Sequence, residues 1–307
     1  MQVDVMSLAL RQQAALGEGL VWDQSRQCWW WTDIEAAMVY CWDGVNSLQS
    51  WRAPDRVGSL VLCQSGALLL GMSKRIGLAR KPSEGDALEV EFLAAVDSAE
   101  PRTRINDGRV DRAGNYVFGT LNESTDRRPI GSFYQFSRRF GLRRLALPAV
   151  SIANSICFSP DGATMYFSDT LQGIIQQCDY DAVSAKVSRI RHFARPDILQ
   201  AAPDGAIVDR EGCVWNAEWG SGTLARYNVR GELLMRVALP VPQPTCPAIG
   251  GAQLNRLLVT SARCDLDRDD LARWPLSGSV FGCMLEQPLG LEDALFNDIE
   301  SDNELSI

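Results

Sequence analysis

The segment Asp111-Arg112-Ala113-Gly114, with the apolar run Tyr116 to Gly119 close behind it, decides the fold of this chain. A turn closed by glycine, which takes a positive φ without steric penalty, followed by a short β-rich run reads as a hairpin joining two strands. The signature recurs at Gln64-Ser65-Gly66 before Ala67 to Met72, at Pro160-Asp161-Gly162 before Thr164 to Ser168, and at Arg210-Glu211-Gly212 before Val214 to Ala217. Gly66, Gly114, Gly162 and Gly212 stand 48, 48 and 50 residues apart, the length of one four-stranded propeller blade. Weaker copies precede Cys28 to Asp33 and Leu257 to Thr260, so six units nearly use up the 307 residues.

This spacing predicts an all-β, six-bladed β-propeller as a single domain over residues 1–291. Within a unit the order is inner strand, turn, second strand, turn, third strand, with third strands at Met38 to Trp42, Phe133 to Phe136 and Leu224 to Tyr227. Val3 to Arg11 precedes the first full repeat and is expected to pair with the last blade, closing the ring and removing an exposed sheet edge. Residues 292–307 carry Glu292, Asp293, Asp298, Glu300, Asp302 and Glu304 with no Lys or Arg, and read as a solvated acidic tail.

Hydrophobic residues at 46% and charged residues at 22% suit a soluble globular protein. The net charge of −8, without clustered Lys and Arg, argues against nucleic acid as a partner. Nine cysteines, an odd number with no C-x-x-C pair, fit reduced core residues in a cytoplasmic protein better than a disulfide framework or a thiolate zinc site. The first 15 residues lack the basic start and apolar run of a signal peptide, and no stretch reaches 18 apolar residues, so neither export nor a membrane is expected.

Four polar side chains hold one place in the repeat: Glu18, Asn106, Asn154 and Asp204 lie five residues before Asp23, Asp111, Ser159 and Asp209. Inner strands surround the propeller axis, so a shared offset predicts that these residues meet at one end of the central channel. Arg104, two residues from Asn106, shares its strand face. Gly58 and Gly250 are the counterparts in the second and sixth units and would leave space. Two carboxylates and two amides offer only oxygen donors, which suit a hard divalent cation such as Ca²⁺, Mg²⁺ or Mn²⁺; Zn²⁺ also binds carboxylates, but no Cys or His cluster favours it. On spacing alone, a water-filled channel lined by polar residues accounts for the same pattern. The lone His192 has no recurring position and reads as structural or surface, and one histidine without a Gly-x-Ser-x-Gly elbow excludes a serine-hydrolase triad.

With these residues in view, the sequence resembles the sugar-lactonase family of gluconolactonase, regucalcin (the senescence-marker protein) and luciferin-regenerating enzyme. The markers run from Gly17-Glu18-Gly19 and Trp22-Asp23, through Arg104-Ile105-Asn106-Asp107-Gly108, Gly119-Thr120-Leu121 and Asn154 before Phe158-Ser159-Pro160-Asp161-Gly162, to Pro203-Asp204-Gly205 and Gly250-Gly251. The resemblance implies a six-bladed propeller and one divalent metal bound by Glu18, Asn154 and Asp204. It further implies Asp204 as general base, Arg104 and Asn106 as substrate contacts, and Glu123 as a further candidate contact. The implied reaction is hydrolysis of an aldonolactone to the aldonic acid. A non-catalytic calcium-binding propeller, and a phosphotriester or other ester hydrolase using the same metal, are the alternatives. Leu20, Ser155 and Ile249 depart from the family pattern, where Pro, Gly and Phe are usual; none removes a ligand, and they bear on pocket shape.

Overall fold

The structure is a computed structural model that describes residues 5–80 and 85–299. Its strands form six four-stranded antiparallel sheets, arranged as the blades of a six-bladed propeller. The inner strands are Gly17–Asp23, Val57–Leu62, Thr103–Val110, Ala153–Phe158, Ala202–Val208 and Pro244–Gly250. The sixth sheet is completed by Ser7–Leu10, which pairs antiparallel with Val280–Met284 as its outermost strand. The first and last segments of the chain thus share one blade; Val3 lies outside the described residues.

A blade is covered on both faces by its neighbours, so its middle strands are apolar throughout rather than alternating. The run Trp29-Trp30-Trp31 illustrates this. Trp30 enters the cluster between the first two blades with Trp51 and Leu70, whereas Trp29 and Trp31 enter the opposite cluster with Leu258 and Val280 of the sixth blade. The fourth strands meet solvent: Lys186–Ala194 is exposed over most of its length, and His192 stands exposed on it. None of the nine cysteines is in a disulfide, and seven are buried.

Every inner strand breaks register with its neighbour at the same level. The irregularities fall between Glu18 and Val21, Val57 and Ser59, Ile105 and Gly108, Asn154 and Cys157, Pro203 and Ala206, and Pro244 and Pro247. A bulge adds a residue to one strand and re-aims its side chains, and here each sits where the polar frame residues lie. In the sixth blade this level is occupied by Thr245 and Cys246. Gly250 therefore lies at the opposite end of its strand, against Trp22, and is not the counterpart of Glu18.

The segment expected as a solvated tail is in part built into the fold. Phe296 is wholly buried and stacks on Phe136, its N–H donates to Leu62 O at 2.8 Å, and its carbonyl accepts from Gln64 N at 3.0 Å. Asp293 pairs with Arg109 at 2.7 Å, and Asp298 accepts from Ser65 N at 3.0 Å. Leu291, Asp293 and Ala294 line one cavity together with Val110, Phe158, Val208 and Ile249, at the far ends of four inner strands. One aromatic residue among acids anchors this strap; Glu300, Asp302 and Glu304 lie outside the described residues. Phe296→Ala is expected to destabilise the protein by about 3–5 kcal/mol in urea denaturation, the usual loss for emptying a buried aromatic site. A loss below about 1 kcal/mol would show that the strap is not structural.

Candidate functional site

The bulged starts of the inner strands bring Glu18, Arg104, Asn106, Asn154 and Asp204 to one end of the channel, all of them buried. Arg104 Nη1 donates to Asn106 Oδ1 at 2.8 Å and to Ile105 O at 3.0 Å. Asn106 Nδ2 donates in turn to Asn154 Oδ1 and to Ala153 O, both at 3.0 Å. Asn154 Nδ2 donates to Thr170 Oγ1 at 2.8 Å, whose hydroxyl donates to Pro203 O at 2.9 Å. One hydrogen-bonded arc therefore spans the third, fourth and fifth blades and fixes the orientation of both amides.

Glu18 and Asp204 close the ring from the other side and hydrogen-bond to each other. Burial, then the neighbouring charge of Asp107, pushes the Glu18 carboxyl up to about 8, although the Gly19 N–H at 3.1 Å and the Arg104 charge oppose the shift. Asp204 is raised well above the carboxylate range by burial, by Glu18 and by Asp107. Two carboxyls held out of water at contact distance cannot both ionise, so they share a proton unless a cation intervenes. The donor set of two carboxylates and the Asn154 amide oxygen, drawn from three blades, fits a hard divalent cation. Among the described residues no cluster of three or more His, Cys, Asp or Glu side chains is placed to hold a metal, so the oxygen donor set here depends on the Asn154 amide beside the two carboxyls.

Asp204 is fixed through its backbone. Ser155 Oγ donates to Asp204 O at 2.7 Å, and Asn216 Nδ2 donates to the same carbonyl at 3.1 Å. Ser155 has φ of 59°, the left-handed region that favours glycine, and its hydroxyl also accepts from Ser168 Oγ and Asn216 Nδ2. The serine thus accepts a strained backbone and gains a tie to the neighbouring blade. Glu123 lies at the rim, its Oε1 3.4 Å from Arg104 Nε, but both its oxygens are gripped by Arg56 at 2.8 and 2.9 Å. It is a partner of Arg104 before it is a contact for anything else.

Three residues at the site escaped the repeat frame. Asp107 follows Asn106, and regular alternation would turn it away; the bulge brings it to the channel, where it accepts from Ile156 N at 2.7 Å and burial raises it to about 6. Thr170 and Arg56 lie in blade connections, which carry no periodic signal. The adjacency of Asn106 and Asp107 before a glycine was the available clue.

This fold and ring of oxygen donors define a six-bladed propeller with one polar site at its channel mouth. The family model described as the SMP-30/Gluconolactonase/LRE-like region matches residues 16–263. L-arabinolactonase of Azospirillum brasilense is 42% identical over 270 residues, 87% of each chain, and 6-deoxy-6-sulfogluconolactonase of Pseudomonas putida is 32% identical over 95% of this chain and 99% of its own. The crystal structure of a calcium-binding regucalcin from Agrobacterium tumefaciens superposes with a TM-score of 0.84 at 29% identity, covering 96% of this chain and all of that one. The chain belongs to the SMP-30/gluconolactonase/LRE-like family, and it is an enzyme, a hydrolase acting on carboxylic ester bonds.

The raised carboxyls set a pH dependence. A carboxyl whose folded-state pKa lies above its unfolded value stabilises the fold least when ionised. The metal-free protein is therefore expected to lose stability as pH rises from about 4.5 towards 8, the interval between the ordinary Glu value and that of Glu18. Glu18→Gln should flatten the fall in Tm between pH 5 and pH 8. Parallel profiles for the two proteins after chelation would contradict the buried pair as its source.

Proposed function

We propose that the protein is an aldonolactonase, which hydrolyses the intramolecular ester of a sugar acid to the open-chain acid with one divalent cation held by Glu18, Asn154 and Asp204. The observation that carries this reading is the buried Glu18–Asp204 pair facing the Arg104–Asn106 arm: two carboxylates in need of a cation stand beside two fixed hydrogen-bonding side chains. A bound divalent ion supplies Lewis acidity towards the lactone carbonyl and lowers the pKa of a water. Ca²⁺, Mg²⁺ and Mn²⁺ match the donors best, Zn²⁺ less so, and the relative described as calcium-binding supports Ca²⁺ as the first ion to test.

The remaining chemistry falls to the protein. Asp204, tethered through Ser155 and Asn216, takes the proton of the attacking water as that oxygen bonds to the acyl carbon. The ring C–O bond then breaks, and Asp204 returns the proton to the departing ring oxygen, which becomes a hydroxyl. Arg104 and Asn106 orient the lactone through its hydroxyls and ring oxygen, which converts an encounter into a directed attack. The relative named L-arabinolactonase supports a five-carbon aldonolactone as the first substrate to assay, with glucono- and galactonolactone next. The partner is a small molecule, and the net charge of −8 argues against nucleic acid. Among the described residues no helix is long and apolar enough to cross a membrane, and the cysteines, none of them in a disulfide, support a reducing cytoplasm as the place of work.

Asp204→Asn and Glu18→Gln are expected to lower kcat/KM on aldonolactones by at least about 10³-fold, in the range lost on removing a catalytic group, while circular dichroism stays that of the wild type. Chelation should abolish acid release in a pH-stat, and added Ca²⁺, Mg²⁺ or Mn²⁺ should restore it. Turnover indifferent to both substitutions and to chelator would overturn the assignment. Metal binding by calorimetry without acid release from any sugar lactone would instead leave a calcium-binding propeller.

A further inference from the structure

We propose that Arg56 is a positioning residue of this site, which fixes Glu123 against Arg104 and thereby sets how Arg104 meets the substrate. The proposal rests on the reading of Arg104 as a substrate contact. Arg56 stands in the connection between the first and second blades, directly before the inner strand Val57–Leu62. Its guanidinium reaches the Glu123 carboxylate of the third blade through Nη1 at 2.8 Å and Nη2 at 2.9 Å, a two-pronged grip, and lies 3.6 Å from Glu35 of the first blade. Arg56 therefore ties the rim of three blades together.

An exposed ion pair between long side chains usually contributes little, because ordering them offsets the weak attraction in water. Three features set this pair apart. The grip is bidentate, which fixes direction as well as distance. Both ends have anchored backbones: Arg56 N donates to Asp55 Oδ1 at 2.7 Å, Ser73 N donates to Arg56 O at 3.0 Å, and Glu123 N donates to Arg102 O at 2.8 Å. Finally, Glu123 has a second cationic partner: Arg104, itself 6% exposed, whose Nε lies 3.4 Å from Glu123 Oε1 and has no hydrogen-bond partner at normal distance. Arg104 is also tied at Nη1 to Asn106, which continues to Asn154. Holding Glu123 in place thus keeps a carboxylate charge beside the Arg104 Nε, while Asn106 holds Nη1 by a hydrogen bond. Without Arg56, Glu123 is free to swing into solvent and Arg104 pivots about its bond to Asn106.

A residue acting through Arg104 affects substrate capture more than the bond-breaking step. Arg56→Met is expected to raise KM for the aldonolactone about tenfold with kcat within about threefold of wild type. Arg56→Lys, which keeps the charge but loses the fork, should recover only part of the loss, and Glu35→Gln should change KM less than twofold. A second readout needs no turnover: hydrogen exchange at the Arg104 Nε–H, followed by NMR and assigned with Arg104→Lys, should be at least tenfold faster in Arg56→Met and near wild type in Glu35→Gln. Wild-type KM and wild-type exchange in Arg56→Met would overturn the proposal, as would full rescue of both by Lys, which would reduce Arg56 to its charge. Should the wild-type protein open no sugar lactone, the functional reading falls and the exchange rates alone decide this one. Should Arg56→Met fail to fold, Arg56→Lys decides: slower capture and faster exchange support the grip, and wild-type values for both reject it.

Discussion

Crowding at the axis is the constraint on which the rest of this molecule depends. Six inner strands converge on one line, and there is no room for a full set of side chains. A Cβ on Gly58 would lie 2.4 Å from Ile105 O, and one on Gly205 would lie 2.7 Å from Thr245 O. The strands accommodate each other by bulging at a common level, and a bulge leaves backbone groups and side chains out of the regular ladder. Polar residues placed at that level therefore face a narrow enclosed space from four of the six inner strands. The site follows from how six strands can be packed round an axis, and its chemistry from which residues stand at the bulges.

That arrangement explains why two buried carboxyls face each other here, whereas a carboxylate buried elsewhere has hydrogen-bond donors around it. Asp209 is buried too, but it accepts from Cys213 N, Trp215 Nε1 and Arg226 Nε, all at or below 3.0 Å, and so is fully paired. Glu18 and Asp204 face each other with Asp107 nearby, an arrangement that folding alone would not favour. Buried like charges of this sort mark a place where stability is given up for function. The hydrogen-bonded arc from Arg104 Nη1 to Pro203 O is the opposite case, with each amide and hydroxyl in it bonded to the next, so that this side of the site is fixed in orientation.

Much of this was legible in the sequence because it is periodic. The glycine turns marked the blades, and the offset before each turn led to Glu18, Asn106, Asn154 and Asp204. What escaped notice was either aperiodic or dependent on distant partners. The outermost strands, such as Lys186–Ala194, face water and carry no apolar alternation. The bulges shift parity by one residue, which concealed Asp107 and misplaced Gly250. Arg56 matters only through Glu123, 67 residues away. Phe296 was masked by the acids around it, since composition averaged over a segment says little about the single residue that anchors it.

The strap that Phe296 secures also gives the channel a direction. Leu291, Asp293 and Ala294 share a cavity with the far ends of four inner strands and Asp293 pairs with Arg109, so the strap stands at the end of the propeller opposite the polar ring.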